Sequence, residues 1–193
     1  REKFGLGSAP LIAIGGRLHE QKGVNQLFQM LALLLPDFPD LKLIVMGKRD
    51  VYDREFAAEA ERLGVAHAVA PTGWLDGEEL ACAYSAVDVF VTPSICFDTF
   101  GLVNLEAMEH SRPVVATCFG GSPEVVQDGA TGYIENPYDV VSFSARVAEL
   151  LADRDRATSF GAAGRERLLA GFTIDRLCDE FMEEYQAALE TRR

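Results

Sequence analysis

Four charged side chains stand where this chain could do chemistry: Arg17 and Lys22 in one loop, Asp98 and Glu106 around a second. The first pair lies in Gly15-Gly16-Arg17-Leu18 and Lys22-Gly23, directly after the apolar run at 11–14. Glycine lets the backbone turn sharply there and approach a ligand closely. A helix opening at Val24 brings its positive end to the same place. Two cations, a tight turn and a helix start suit a diphosphate. The plainer alternative is that both are solvated surface groups, the usual fate of Lys and Arg. The loop has neither GxGxxG nor GxxxxGK[ST] spacing, so dinucleotide and P-loop readings lose their main support.

Asp98 precedes a Phe100-Gly101 turn that opens another helix. The first amides of that helix, from Phe100 through Gly101, Leu102 and Val103, point at whatever lies above the turn. Asp98 is placed to reach ligand hydroxyls, or else to act as an ordinary helix cap. Glu106 is too far along to cap, and its neighbours Leu105 and Ala107 are apolar. A buried carboxylate needs hydrogen-bond partners. The paired hydroxyls of a ribose or a sugar would supply them; an exposed helix glutamate is the alternative. Trp74 is the only tryptophan. With Leu75 it could lie beside a nucleobase, or it could cover the sheet edge. Gly120-Gly121-Ser122 brings amides towards the same region or is a plain turn. His19 could touch a phosphate from within the cationic loop, with a solvated histidine as the commoner case.

The elements that must hold these residues follow from periodicity. Strands are expected at 11–14, 43–46, 66–70, 87–92, 113–117 and 133–134. The runs at 87–92 and 113–117 are nearly continuous in apolar residues, as in parallel strands covered on both faces. Helices are expected at 24–35, 52–63, 76–85, 101–110, 123–127, 138–151, 154–169 and from 174 to near the end. Asp76 and Glu79 have the spacing of a capping box. The alternation implies an α/β, Rossmann-like, doubly wound parallel sheet. Ligands bind such sheets beyond the carboxyl ends of the strands, where the strand order reverses. Both charged loops follow strands.

Composition narrows the function classes. The chain has 193 residues, 48% of them hydrophobic, enough for one well-buried domain. Its 30 acidic and 18 basic residues give a net charge of −12, which disfavours nucleic-acid binding. Cys82, Cys96, Cys118 and Cys178 lack CxxC spacing and close histidine partners. They read as small core residues in a reducing, cytoplasmic compartment, with neither a metal site nor a disulfide framework. There is no signal-peptide pattern and no apolar run of bilayer length. The first residue is Arg1 rather than Met, as in a piece of a longer protein.

Seven elements in order now carry a resemblance. They are Gly16-Arg17-Leu18 with Lys22-Gly23, Asp88-Val89-Phe90-Val91-Thr92-Pro93-Ser94, Phe100-Gly101-Leu102-Val103, Leu105-Glu106-Ala107-Met108, Pro113-Val114-Val115-Ala116-Thr117, Gly120-Gly121-Ser122-Pro123-Glu124 and Asp128-Gly129-Ala130-Thr131-Gly132. Over nearly its whole length the chain resembles the C-terminal, donor-binding domain of a GT-B-fold retaining glycosyltransferase of family four, glycosyl transferases group 1. The resemblance implies that Arg17 and Lys22 bind the donor diphosphate, with Gly16 close by. It assigns Asp98 to the donor sugar and Glu106 to the ribose. The amides of Phe100, Gly101, Leu102 and Val103 would hold sugar and phosphate, and Trp74 and Leu75 would lie near the base. The first acid is Asp98 where the family more often has glutamate, and this bears on which sugar is bound.

The donor implied is a nucleoside-diphosphate sugar, with a UDP-sugar favoured over GDP- or ADP-sugars, and no metal or other cofactor. Residues 1–173 would form the nucleotide-sugar-binding domain. Residues 174–193 would form a helix crossing to an N-terminal acceptor domain, so its distal part is expected to expose apolar surface. Acceptor choice, and any membrane contact, would lie with that other half. Two other readings remain: a non-catalytic nucleotide-sugar-binding or interaction module, and a GT-B-fold sugar-nucleotide epimerase. The epimerase class lacks the Phe-Gly-Leu-Val arrangement. A nicotinamide oxidoreductase lacks its glycine fingerprint.

Overall fold

The computed structural model describes residues 1–191. Its framework is a six-stranded sheet in the order β3-β2-β1-β4-β5-β6. The strands are β1 (Leu11–Gly15), β2 (Lys42–Met46), β3 (Val69–Gly73), β4 (Val89–Thr92), β5 (Val114–Thr117) and β6 (Gly132–Glu135). Every neighbouring pair is parallel. The helices are α1 (Val24–Leu34), α2 (Arg49–Glu55), α3 (Ala57–Arg62), α4 (Gly77–Ala86), α5 (Leu102–Glu109), α6 (Ser122–Val125), α7 (Val140–Ala152), α8 (Arg154–Gly171) and α9 (Ile174–Thr191). The α/β, doubly wound architecture read from the sequence is the one observed.

Alternation along the strands divides the core between the two faces, because successive side chains of a strand point opposite ways. Ile12 and Ile14 of β1 join Phe28 of α1 and Phe143 of α7 on one face. Leu11 and Ala13 join Tyr84 of α4, Phe90 of β4 and Met108 of α5 on the other. Burying a side chain such as Phe28 or Phe143 contributes about 2–3 kcal/mol, and both are fully buried. The central strands β4 and β5 are buried at every position, whereas edge strand β3 is half-buried throughout.

Several local expectations give way to tertiary contacts. The single helix expected at 52–63 is two helices, α2 and α3, divided at Phe56. Phe56 takes φ −125° and is 2% exposed, so its ring enters the core at the cost of helix continuity. The strand expected at 66–70 is a 3₁₀ turn over Ala66–Ala68, and β3 follows it. Asp76 does sit at the N-cap of α4, but its side chain makes no capping bond. Glu79, its supposed partner, instead accepts from Lys3 Nζ at 2.5 Å. The cysteines are not core residues: Cys82, Cys118 and Cys178 are exposed and Cys96 is half-buried, all four as free thiols.

Helix α9 carries the expected apolar stripe, with Ile174, Leu177, Phe181, Tyr185 and Leu189 between 48% and 73% exposed. The last two positions of the segment expected to cross to another domain lie outside the described residues. Among the described residues no helix is long and apolar enough to cross a membrane.

Candidate functional site

Strands β1 and β4 are neighbours across the point where strand order reverses, so the loops that leave them flank one crevice. The loop after β1 carries Gly16, Arg17, His19 and Lys22; the loop after β4 carries Asp98, Phe100 and Gly101. Backbone contacts stitch these loops together. Ile95 N donates to Gln21 O at 2.8 Å, and the loop after β5 joins them, Gly121 N donating to Asp98 O at 2.9 Å. Gly23 has φ 72°, and a Cβ on it would stand 1.8 Å from Pro93 O. A side chain there would force the loops apart, which gives this glycine a physical reason.

The crevice holds a cleft of about 480 Å³, lined by Gly16, Arg17 and Lys22 on one side and by Asp98 and residues Phe100, Gly101, Leu102 and Val103 on the other. Gly101 is the N-cap of α5 at φ 73°, without a side chain to satisfy the first-turn amides; Asn104 N donates to Gly101 O at 2.8 Å, which leaves the Leu102 and Val103 amides for an anion. Lys22 Nζ does not reach freely into the cleft: it is ion-paired with Asp98 Oδ2. Arg17 has no ion-pair or side-chain hydrogen-bond partner among the described residues. His19 turns back on its own loop, its Nδ1 accepting from Gln21 N at 3.3 Å.

A buried polar relay fixes the floor. Thr92 Oγ1 donates to Asn104 Oδ1 at 2.9 Å, and Asn104 Nδ2 donates to Ser122 Oγ at 3.3 Å. It joins the end of β4, the first turn of α5 and the start of α6. Asn104 is fully buried, so this pairing offsets the cost of hiding its amide. Sequence reasoning passed over Asn104; its one signal is a polar residue inside the otherwise apolar Leu102-Val103-Asn104-Leu105.

A second cleft of about 120 Å³ adjoins the first and shares Gly15, Gly16 and Val103 with it. Trp74, Leu75, Tyr84 and Glu106 bound it. Trp74 is 61% exposed at its mouth, while Leu75 is buried. Glu106 is half-buried, as its flanks suggested, but it does not wait on a ligand for a partner. Tyr84 Oη donates to Glu106 Oε2 at 2.5 Å. Burial and then this hydrogen bond raise the Tyr84 pKa well above its ordinary value, so the phenol stays protonated and remains a donor. Oε1 has no hydrogen bond among the described residues. The Tyr84 ring stacks on His110 at 5.7 Å, and His110 Nδ1 lies 3.0 Å from Ser85 Oγ. Tyr84 reads in sequence as one more apolar-face residue of a helix, because its partner is on another helix.

The eleven residues that the family resemblance assigns to the donor thus line one composite crevice, whereas His19, Gly120 and Gly121 line neither part of it. Arg17, Lys22, Asp98, Phe100, Gly101 and Leu102 belong to the larger part, Trp74, Leu75 and Glu106 to the smaller, and Gly16 and Val103 to both.

Residues 1–167 match the model of the family described as glycosyl transferases group 1. The chain is 37% identical over 171 residues to the GDP-mannose-dependent alpha-(1-6)-phosphatidylinositol monomannoside mannosyltransferase of Mycolicibacterium smegmatis, covering 86% of this chain and 44% of that protein. It is 37% identical over 190 residues to the alpha-maltose-1-phosphate synthase of the same organism, covering 92% and 48%. The fold superposes on Anabaena Alr3699/HepE, solved in complex with UDP and glucose, with a TM-score of 0.88 at 22% identity, covering 97% of this chain and 51% of that one. The chain therefore spans about half the length of the relatives it matches. Its architecture is that of the C-terminal half of a GT-B fold.

Proposed function

The chain belongs to the glycosyl transferases group 1 family, and from that premise we propose that it is the donor-binding half of a retaining glycosyltransferase. The enzyme would move a sugar from a nucleoside-diphosphate sugar to an acceptor hydroxyl. One observation carries the reading: the two clefts meet at Gly16 and Val103 with their chemistry in the order a donor needs. In this reading Asp98 would face the sugar, Arg17, Lys22 and the α5 amides the diphosphate, and Glu106 the ribose, with Trp74 and Leu75 flanking the base.

In the proposed reaction the bond from the anomeric carbon to the diphosphate breaks, and the acceptor oxygen attaches on the same face. No enzyme nucleophile takes part, and the acceptor's proton passes to the departing phosphate oxygen. The work of this half is electrostatic: Arg17, Lys22 and the preorganised amides of Gly101 and Leu102 stabilise charge as it gathers on the leaving diphosphate. No metal or further cofactor enters the proposal. The acceptor would come with the rest of the protein, and the apolar stripe of α9 would pack on that part.

The donor base is to be found by experiment. The related mannosyltransferase is named for GDP-mannose, and the structural neighbour was solved with UDP; a UDP-sugar remains the favoured reading. Calorimetric titration of the chain with UDP, GDP and ADP tests the site. One of the three is expected to bind, and Arg17→Ala is expected to weaken that binding about tenfold or more, as loss of a charge-assisted phosphate contact does. No binding by any of them, or unchanged affinity in both Arg17→Ala and Lys22→Ala, would refute the assignment.

A further inference from the structure

We propose that Asp98 competes with the donor's diphosphate for Lys22, so that the cleft holds a sugar nucleotide in preference to the bare nucleoside diphosphate left after transfer. This rests on the donor-site reading above.

The geometry begins with the Lys22–Asp98 ion pair. Both side chains line the large cleft together with Arg17. Their backbones cannot drift apart. Lys22 sits between the Gln21 carbonyl, which accepts from Ile95 N, and Gly23, which lies against Pro93 O. Asp98 is held by its own N–H to Cys96 O and by Gly121 N to its carbonyl. Only the two side chains are free to change partners. A diphosphate entering the cleft meets Arg17 and the α5 amides as open donors, but finds Lys22 already engaged by a carboxylate.

Two anions then contend for one ammonium. Lysine has three N–H donors but is a single point charge. A carboxylate and a phosphate on the same ammonium repel each other at close range. A bound sugar resolves the conflict, because its hydroxyls donate to Asp98 and replace the ammonium as its partner. Lys22 then swings fully to the phosphate. Once the sugar has left, Asp98 has no hydroxyl to accept from and reclaims Lys22. The product diphosphate loses one of its two cations, and its release is favoured. Asp98 is in this sense a specificity-determining residue acting through Lys22, besides any contact it makes with the sugar.

Calorimetry on the whole chain with UDP, UDP-glucose, GDP and GDP-mannose separates the possibilities. Asp98→Asn is expected to tighten binding of the cognate nucleoside diphosphate about three- to tenfold, the range of a partly exposed ion pair and its hydrogen bond. It is expected not to tighten the matching sugar nucleotide. In a Lys22→Ala background the same substitution is expected to give a clearly smaller gain, because the contested cation is gone and only carboxylate–phosphate repulsion is relieved. A gain as large as in the native background would mean simple repulsion between Asp98 and the diphosphate, and would overturn the proposal. So would a diphosphate affinity that Asp98→Asn leaves unchanged or weakens, while Arg17→Ala still weakens binding and the donor-site reading stands. If neither these four nor ADP binds the native chain, both readings fall. Asp98→Ser provides a second variant, and native melting curves for both exclude a folding artefact.

Discussion

Gly121 offers a direct test of how the sugar-side loop is positioned. Its φ is −84°, so alanine meets no backbone strain there, and any effect must come from the added methyl group. That carbon would stand 2.3 Å from Thr99 O and 2.9 Å from Phe100 Cα. Both are backbone atoms and cannot rotate away. Ordinary contact begins near 3.4 Å, so the segment 98–101 must retreat by about an ångström. The retreat also strains the hydrogen bond from Gly121 N to Asp98 O, now 2.9 Å. Overpacking of this kind costs about 2 kcal/mol, which for a domain of this size lowers Tm by roughly 4–8 °C. Because the displaced segment carries Asp98 and the Phe100-Gly101 turn, affinity for the cognate nucleotide should fall about tenfold. Gly129→Ala is the control: its φ is 71° and nothing lies within 4 Å of the added carbon, so only the left-handed penalty of about 1–2 kcal/mol applies. It should melt lower but bind like the native chain. Thermal melts and calorimetry decide the matter. A Gly121→Ala protein with native Tm and native affinity would show that the close approach does not position the turn.

Two further substitutions probe the small cleft and the last helix. Tyr84→Phe removes the donor that holds Glu106 Oε2 and should cost about 1–2 kcal/mol of stability. If Tyr84 positions Glu106 for the ribose, the variant should bind the cognate nucleotide more weakly but its 2′,3′-dideoxy analogue as the native chain does; equal losses would assign Tyr84 to the fold alone. Phe181→Ser with Leu189→Ser should leave chain stability within about 0.5 kcal/mol, since both side chains are more than half exposed. A drop in Tm of several degrees would mean that the stripe packs within this chain.

Much of this architecture is legible in residue order because it depends on near neighbours. Continuous apolar runs mark β1, β4 and β5, three-and-four spacing marks α1, and Gly15-Gly16 and Phe100-Gly101 mark the turns beyond the strands. Parallel pairing then places both loops at one end of the sheet without further information. Local signals failed where a distant side chain offered a better partner. Phe56 breaks a helix that its own neighbours favour, because the core takes its ring. Glu79 abandons Asp76's helix cap for Lys3, 76 residues away. The four cysteines are small and apolar enough for a core, yet helix and loop orientation turns three of them to solvent.

For the four charged residues the division is sharp. The sequence by itself determined that Arg17, Lys22 and Asp98 lie in loops that follow parallel strands; Glu106, inside a helix, joins them only through the resemblance to the family. Only the tertiary structure decided their partners. Lys22 finds Asp98 across 76 residues, and Glu106 finds Tyr84 across 22. Hydrogen-bond and charge pairing depend on distances of a few ångströms between segments remote in the chain, which periodicity does not encode. The cation left open for a diphosphate, Arg17, is known only once the other one is seen to be engaged.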